Sequence, residues 1–448
     1  VQQRYSRRIH HLAAQWALHM ERYGYGRMEI PITQVADLFL TRAGDQIISR
    51  LFTFERHGQQ VALRPEFTAA AAHAYVTQHP EGDAVVRWQF SGAVFDDDPS
   101  GAYQHFSIGA ELLGLAGAAA DAEAVAMAVG GLEQVGASEW QLSIGHIQLM
   151  RALLARFRLD NRTQRFILNQ LAALLDPALG KAYILDSLDR LLLGAQTDEN
   201  GLPAYPSDEL STQQMLDVLL DATQRGETMG GRDRADIVRR LLKKRQRATE
   251  RDQYVAALDF LEAWSAISGT PDEAFAQIEQ LLPDDDEMLR ALLDDWQQSV
   301  ALLEAYNIPA SRIQIQPALA RNWDYYTGIV FELVVNGYAV GGGGRYDELA
   351  RLVGGERDIP AVGFACDADA LLAVLPAFDA PPFPTLTISP EVGADIHAAR
   401  WAHQLRGLGC CVSLLNADGD FVAASDGTLR RGERIYESIE ALTLELTQ

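Results

Sequence analysis

From about Gln148 to Asn307 the chain carries no strand-like alternation; Leu and Ala recur at helical spacing for roughly 160 residues. Strand signals lie on both sides of this stretch. It therefore reads as a helical insertion within a sheet-containing domain, broken at Pro177, at Gly201–Pro206 and at Gly226–Gly231. The chain of 448 residues divides accordingly: a core over 1–147, the insertion over 148–307, the core resumed over 308–380, and a small module over 385–448. The Pro-rich stretch Pro381-Pro382-Phe383-Pro384 marks the last boundary.

Residues 4–23 form an amphipathic pattern, with Ile9, Leu12, Ala13, Trp16, Ala17 and Met20 at helical spacing. Met28 to Ile32 reads as a short strand. Leu51–Phe54 and Val61–Leu63 around Arg56-His57-Gly58 read as a hairpin. Thr68 to His79 reads as helix, Ala84–Asp96 and Tyr103–Leu113 as a strand pair, Ala118 to Val135 as helix and Trp140–Ile144 as strand. Strands return at Arg312–Gln316, Ile329–Val335 and Tyr338–Val340. The last module reads strand, helix, strand over Thr385–Ser389, Gly393–Leu408 and Cys410–Leu415, with one more strand and helix expected within Ala424–Gln448. The pattern is α+β: antiparallel strands flanked by helices, with the insertion and a small α/β module.

The net charge of −23 argues against a broadly basic surface that tracks phosphates, so nucleic acid is not expected as a partner. No run of about 18 apolar residues suggests a membrane span. The polar start Val1-Gln2-Gln3-Arg4 lacks a signal-peptide core, and a cytoplasmic protein is expected. Cys366, Cys410 and Cys411 make neither a disulfide framework nor a zinc site. The ten histidines are scattered without metal-ligand spacing; His105 reads as a strand residue, and no metal or cofactor is expected.

Three segments carry candidate chemistry. In Leu63-Arg64-Pro65-Glu66-Phe67-Thr68, Glu66 and Thr68 stand where a helix opens. They serve either as caps or as a pocket edge in which Glu66 receives a ligand amine. In Arg321 to Glu332, Arg321 suits a carboxylate and the Tyr325 and Tyr326 hydroxyls suit a small polar ligand; aromatic packing with a salt bridge explains the same residues. Gly341 to Gly344 lacks the Gly-Lys-Ser/Thr of a P-loop and the dinucleotide fingerprint. Close approach of the backbone to a neighbouring strand or ligand explains it better.

In their order, these pieces resemble class II histidyl-tRNA synthetases and their paralogues over about residues 4–375. Glu29-Ile30-Pro31 with Asp37-Leu38-Phe39 looks like the first, dimer-forming motif. Leu63 to Thr68 is similar to a substrate-binding stretch. Ser91–Phe95 through Gly109–Gly114 looks like the second motif, and Pro360–Ala365 like the start of the third. Asp324-Tyr325-Tyr326-Thr327-Gly328 and Gly343-Gly344-Arg345-Tyr346-Asp347 look like the two histidine-specific signatures. The resemblance implies a class II synthetase-like sheet and puts Glu66, Thr68, Glu111, Arg321, Tyr326 and Tyr346 at histidine-pocket positions; the family's Gln near Ser107 is absent.

The departures fall on the ATP side. Adenylation needs fixed positive charge at the α-phosphate. Asp96, Ala102 and Ala370 stand where the family carries arginines. Asp96-Asp97-Asp98 would repel a triphosphate; one like-charge contact at ~4 Å and an effective dielectric of ~20 costs on the order of 4 kcal/mol. An ordinary solvated turn also accounts for the three aspartates and is compatible with that reading. The resemblance thus implies lost aminoacylation and a non-catalytic member of the family: the regulatory subunit of ATP phosphoribosyltransferase. Such subunits partner a short-form catalytic subunit in the first step of histidine biosynthesis, as dimers within a hetero-octamer, and contribute to histidine feedback. A divergent synthetase and a stand-alone paralogue are the alternatives. Residues 385–448, 64 residues, look like a shortened anticodon-binding module.

Overall fold

The computed structural model describes residues 2–40, 50–98, 101–159, 161–176, 178–194, 251–283, 285–319, 321, 325–376, 385–415 and 417–446. The expected breaks at Gly201–Pro206 and Gly226–Gly231, the Pro-rich linker and Asn322-Trp323-Asp324 lie outside them. Leu12–Pro376 is one compact unit; the described residues up to His11 group with those from Thr385 on.

The larger unit is organised by a sheet of eight strands in the order β1-β5-β6-β11-β10-β9-β7-β8. These are β1 (Gly26–Arg27), β5 (Val86–Phe95), β6 (Gln104–Leu113), β7 (Trp140–His146), β8 (Ile313–Ile315), β9 (Ile329–Val335), β10 (Tyr338–Arg345) and β11 (Ala361–Asp367). The central strands pair antiparallel; only the edge pairs β1–β5 and β7–β8 are parallel. A three-stranded sheet adds β2 (Thr33–Val35), β3 (Thr53–Arg56) and β4 (Gln59–Leu63). His57 and Gly58, at φ 53° and 75°, make the tight β3–β4 turn.

The glycine run is the inner part of β10 rather than a loop after it. Gly343 pairs with Phe364 on one side and Phe331 on the other. A Cβ on Gly343 would stand 1.9 Å from the Gly363 carbonyl oxygen, so the close approach of β10 and β11 demands glycine here.

The expected strand over Met28–Ile32 is corrected: it falls between β1 and β2. Pro31 has no N–H to give to a ladder. Arg64 takes over the carbonyls instead, its N–H donating to the Ile32 oxygen at 2.8 Å and its guanidinium to the Ile30 oxygen.

Three helices cover this sheet's core: α1 (Gln2–Arg22), α2 (Thr68–Gln78) and α3 (Ala118–Gln134). The small residues of α3 let neighbours come close. Trp16 of α1 is fully buried against Gly131 and stacks obliquely on Phe364 at 5.9 Å. The helical stretch leaves from β7 through α4 (Ile147–Ala155), whose first turn is capped by the His146 imidazole accepting from Leu149 N–H at 3.1 Å. It returns through α5 (Glu287–Ala305), capped by Asp286, which packs on α3 and leads back to β8 beside β7. Chain exit and re-entry on adjacent parallel strands are what a long crossover permits.

The smaller unit holds a second sheet, order β13-β12-β14-β15-β16, of β12 (Thr385–Pro390), β13 (Cys411–Leu414), β14 (Phe421–Ala423), β15 (Leu429–Arg431) and β16 (Arg434–Tyr436). Two further helices complete it: α7 (Asp395–Gly407), numbered after α6 (Ala368–Val374) of the larger unit, and α8 (Ile439–Leu446). Its core gathers Ile388, Trp401, Leu405, Phe421 and Leu429. The tail thus carries three strands where one was expected; each is only three residues long, too short for alternation to show.

Candidate functional site

A carboxyl group with no cation beside it stands at the centre of the site. Glu111, on β6, is completely buried. It accepts from the Thr68 hydroxyl at 2.6 Å and from the Tyr346 hydroxyl at 2.5 Å. Its register partner on β11 is Gly363, where a Cβ would stand 1.6 Å from Glu111 Oε2. The glycine makes room for the acid.

Glu66 does both things open to it from the sequence. Its carboxylate accepts from Ala69 N–H at 2.9 Å and from Thr68 N–H, so it closes the first turn of α2. It also lies close enough to Glu111 for its charge to act on that acid, and keeps partial solvent access. Arg64 braces this corner: it donates to Ala93 and Ile30 carbonyls and lies 4.2 Å over the Phe67 ring, which stacks on Phe90.

The Gly-Arg-Tyr-Asp turn delivers Tyr346. Arg345 reaches Asp121 at 2.5–2.8 Å and Asp347 at 3.0 Å. Asp347 in turn accepts from Ala361 N–H at 2.9 Å and its own N–H donates to the Thr327 hydroxyl at 2.9 Å. The charged neighbours of Tyr346 are therefore a brace, and the tyrosine between them points its hydroxyl at Glu111. Burial pushes the Asp121 carboxyl up to about 6, with Arg345 pulling against it. Tyr325 lines the pocket as well, its ring 5.7 Å from Tyr346 and 4.9 Å from Tyr326, its hydroxyl bonded to Thr68 and Tyr326.

Five of the residues singled out from the sequence, Glu66, Thr68, Glu111, Tyr326 and Tyr346, come together here. Arg321 is at the rim, its guanidinium donating to the Gly341 carbonyl at 3.1 Å and 3.8 Å from Glu332. Gly363 and Arg64 were not singled out. Tyr325, whose hydroxyl was expected with that of Tyr326 to suit a small polar ligand, lies beside it; nothing local in the sequence marks Gly363.

Burial pushes Glu111 up to about 8; the Thr68 and Tyr346 hydroxyls pull it back, and the Glu66 charge adds to the rise. Burial likewise raises Glu66 to about 7 against the Ala69 and Thr68 donors. Among the described residues neither acid has a Lys or Arg ion pair. Two enclosed acids without a counter-ion favour a cationic ligand group, which would draw both toward the charged form.

The positions that the resemblance assigns to the nucleotide differ. Asp96 and Asp98 do not stand free, as the repulsion argument assumed. Arg50 Nη2 bridges them at 2.5 and 2.6 Å, which removes part of that charge; of the three, Asp97 is the exposed one. The aspartates thus hold Arg50 between them. Ala102 is exposed, and Ala370 lies in the first turn of α6, its N–H donating to Asp367 at 3.0 Å. None of these three positions offers a cation.

The model of the histidyl-tRNA synthetase family matches residues 1–189 and 209–371. ATP phosphoribosyltransferase regulatory subunits of Mesorhizobium japonicum and Allorhizobium ampelinum are 31% and 30% identical, over 78% of this chain in each case and 92% and 93% of theirs. The histidine–tRNA ligase of Pyrococcus furiosus is 26% identical over 83% of this chain but 72% of its own. Among solved structures, a protein of Bacillus halodurans described as ATP phosphoribosyltransferase regulatory subunit/histidyl-tRNA synthetase superposes with TM-score 0.63 at 19% identity, covering 98% of this chain and 92% of that one. Histidyl-tRNA synthetase from Nostoc gives TM-score 0.64 at 16% identity, covering 98% and 95%; both show the class II synthetase-like fold. The chain belongs to the family of histidyl-tRNA synthetases and ATP phosphoribosyltransferase regulatory subunits.

Proposed function

We propose that this chain is the regulatory, non-catalytic subunit of an ATP phosphoribosyltransferase. It partners a short-form catalytic subunit in the first step of histidine biosynthesis, as a homodimer within a hetero-octamer, in the cytoplasm. No helix among the described residues is long and apolar enough to cross a membrane. The observation that supports the reading is a contrast: Glu111 is braced by two hydroxyls, whereas Arg50, beside the positions expected to face a nucleotide, is taken up by Asp96 and Asp98. Adenylation of an amino acid concentrates negative charge at the α-phosphate, and Asp96, Ala102 and Ala370 give it nothing to lean on. Aminoacylation is therefore lost, while a small cationic metabolite still has a place to bind.

That metabolite is histidine. Its ammonium would sit against Glu66 and Glu111, with the tyrosine hydroxyls orienting it. Feedback then follows if the histidine-bound pocket favours one state of the assembly over another; the coupling is the difference in histidine affinity between those states. The net charge of −23 suits a protein partner better than tRNA. The near-complete span of the regulatory-subunit relatives supports the same reading.

The test is reconstitution. Purified chain is mixed with a short-form catalytic subunit and phosphoribosyl-ATP formation is followed. A stable complex with at least about a tenfold rate increase, inhibited by histidine, is expected. No complex, together with histidine-dependent ATP–pyrophosphate exchange by the chain alone, would return it to the synthetases.

A further inference from the structure

The sequence showed no metal-ligand spacing, yet the fold assembles a mixed donor set from three places. His105 lies near the start of β6, Asp367 ends β11, and Asp369 stands in the first turn of α6. One ligand atom from each lies within 4.8 Å of the other two. All three residues are half-buried. His105 and Glu111 are six residues apart on the same strand, about 20 Å, so this cluster is separate from the acid pocket.

Two observations point to a cation here. The first is a distance. His105 Nδ1 and Asp367 Oδ2 are 3.7 Å apart, too long for a hydrogen bond. It is a separation that two donors reach when each binds one ion at about 2.0–2.2 Å. The second is charge. Among the described residues, neither Asp367 nor Asp369 is paired with Lys or Arg. Each instead has one carboxylate oxygen fixed by backbone: Asp367 Oδ1 accepts from Asp369 N–H at 2.9 Å and Ala370 N–H at 3.0 Å, and Asp369 Oδ2 accepts from Phe106 N–H at 2.7 Å. Asp367 Oδ2 and Asp369 Oδ1 remain as donors. Backbone bonds that orient ligating carboxylates are what a metal site needs around it.

We infer that His105, Asp367 and Asp369 bind a first-row divalent cation of the zinc class, tying the start of β6 to the start of α6. An imidazole nitrogen beside two carboxylates suits Zn²⁺ or Mn²⁺ better than Mg²⁺, which prefers oxygen throughout. Three protein donors leave at least one position open to water or to an anionic ligand.

The experiment titrates tag-free, chelator-stripped protein with Zn²⁺, and in parallel with Mn²⁺ and Mg²⁺, by calorimetry. One Zn²⁺ per chain is expected, bound more tightly than Mn²⁺ and far more tightly than Mg²⁺. His105→Ala and Asp369→Asn should each weaken Zn²⁺ at least about tenfold, as second-shell and ligand losses commonly do. Asp367→Asn keeps an oxygen for the helix cap and should behave the same way. Melting of each metal-free variant confirms its fold, and Zn²⁺ should raise the melting temperature of the parent but not of His105→Ala. Folded variants that bind Zn²⁺ like the parent, loss of binding on Cys410→Ser with Cys411→Ser instead, or no Zn²⁺ uptake by the parent, would each overturn the assignment.

Discussion

The two ends of the site obey different rules. On the amino-acid side, charge is buried and braced: Glu111 has two hydroxyl donors, Glu66 closes a helix, and Arg345 and Asp347 are spent on aiming Tyr346. Around Asp96 and Asp98, charge is half-exposed and self-satisfied: Arg50 is shared between the two. The first arrangement leaves two acids without a Lys or Arg partner among the described residues. The second meets its own needs through the Arg50 bridge. On the proposed function, one half of a reaction centre is kept as a binding site while the other half has relaxed into ordinary surface.

The largest effect tests whether the acid pocket is really built around its glycine. In Gly363→Ala the new methyl would meet Glu111 Oε2 and, at 2.6 Å, the Ala110 carbonyl oxygen. Overpacking of this kind costs about 1–3 kcal/mol or more, and a clear fall in melting temperature is expected, together with loss of ligand binding. Unchanged stability would mean the β6–β11 contact is looser than drawn.

Next is Glu111→Gln. It keeps an acceptor for Thr68 or Tyr346 and removes the charge, so histidine binding should weaken by about 2 kcal/mol, roughly thirtyfold. It also has a pH signature. The buried acid titrates at about 8 in the fold against an ordinary value of 4.5, so its contribution is full below about pH 4.5 and lost as pH rises through 8. Unliganded parent protein should lose stability in denaturant melts across that window, and the variant should lose less. Parallel pH profiles would show that Glu111 is not the buried acid responsible.

The smallest effect is on the nucleotide side. Arg50→Ala should cost less than about 1 kcal/mol, because its ion pairs are partly in solvent. Histidine binding should be untouched. A large loss would mean the Arg50 bridge is structural to the site and the two sides are coupled.

How far the sequence reads through to this picture depends on what each residue contributes. Ile329–Val335 is legible to the residue, because apolar side chains and flanking turns mark both its ends. β10 is legible only to Val340, since glycines carry no side-chain pattern and their role depends on β11 coming close. Met28–Ile32 misleads because its apolar residues suggest a ladder that Pro31 and the Arg64 guanidinium displace. The pocket residues are scattered from Glu66 to Tyr346 and are brought together only by the sheet; resemblance, not spacing, marked them in advance. The Arg50 bridge and the His105, Asp367 and Asp369 cluster had no local signal at all, because each joins side chains that only the fold makes neighbours.

The most direct measurement is isothermal titration of the purified chain with histidine and, separately, with ATP. The account predicts histidine binding that strengthens as pH rises from about 6 to 8, where Glu66 and Glu111 give up their protons to the ligand's charge, and no ATP binding in the micromolar range. Micromolar ATP binding, or a pocket indifferent to histidine, would contradict it.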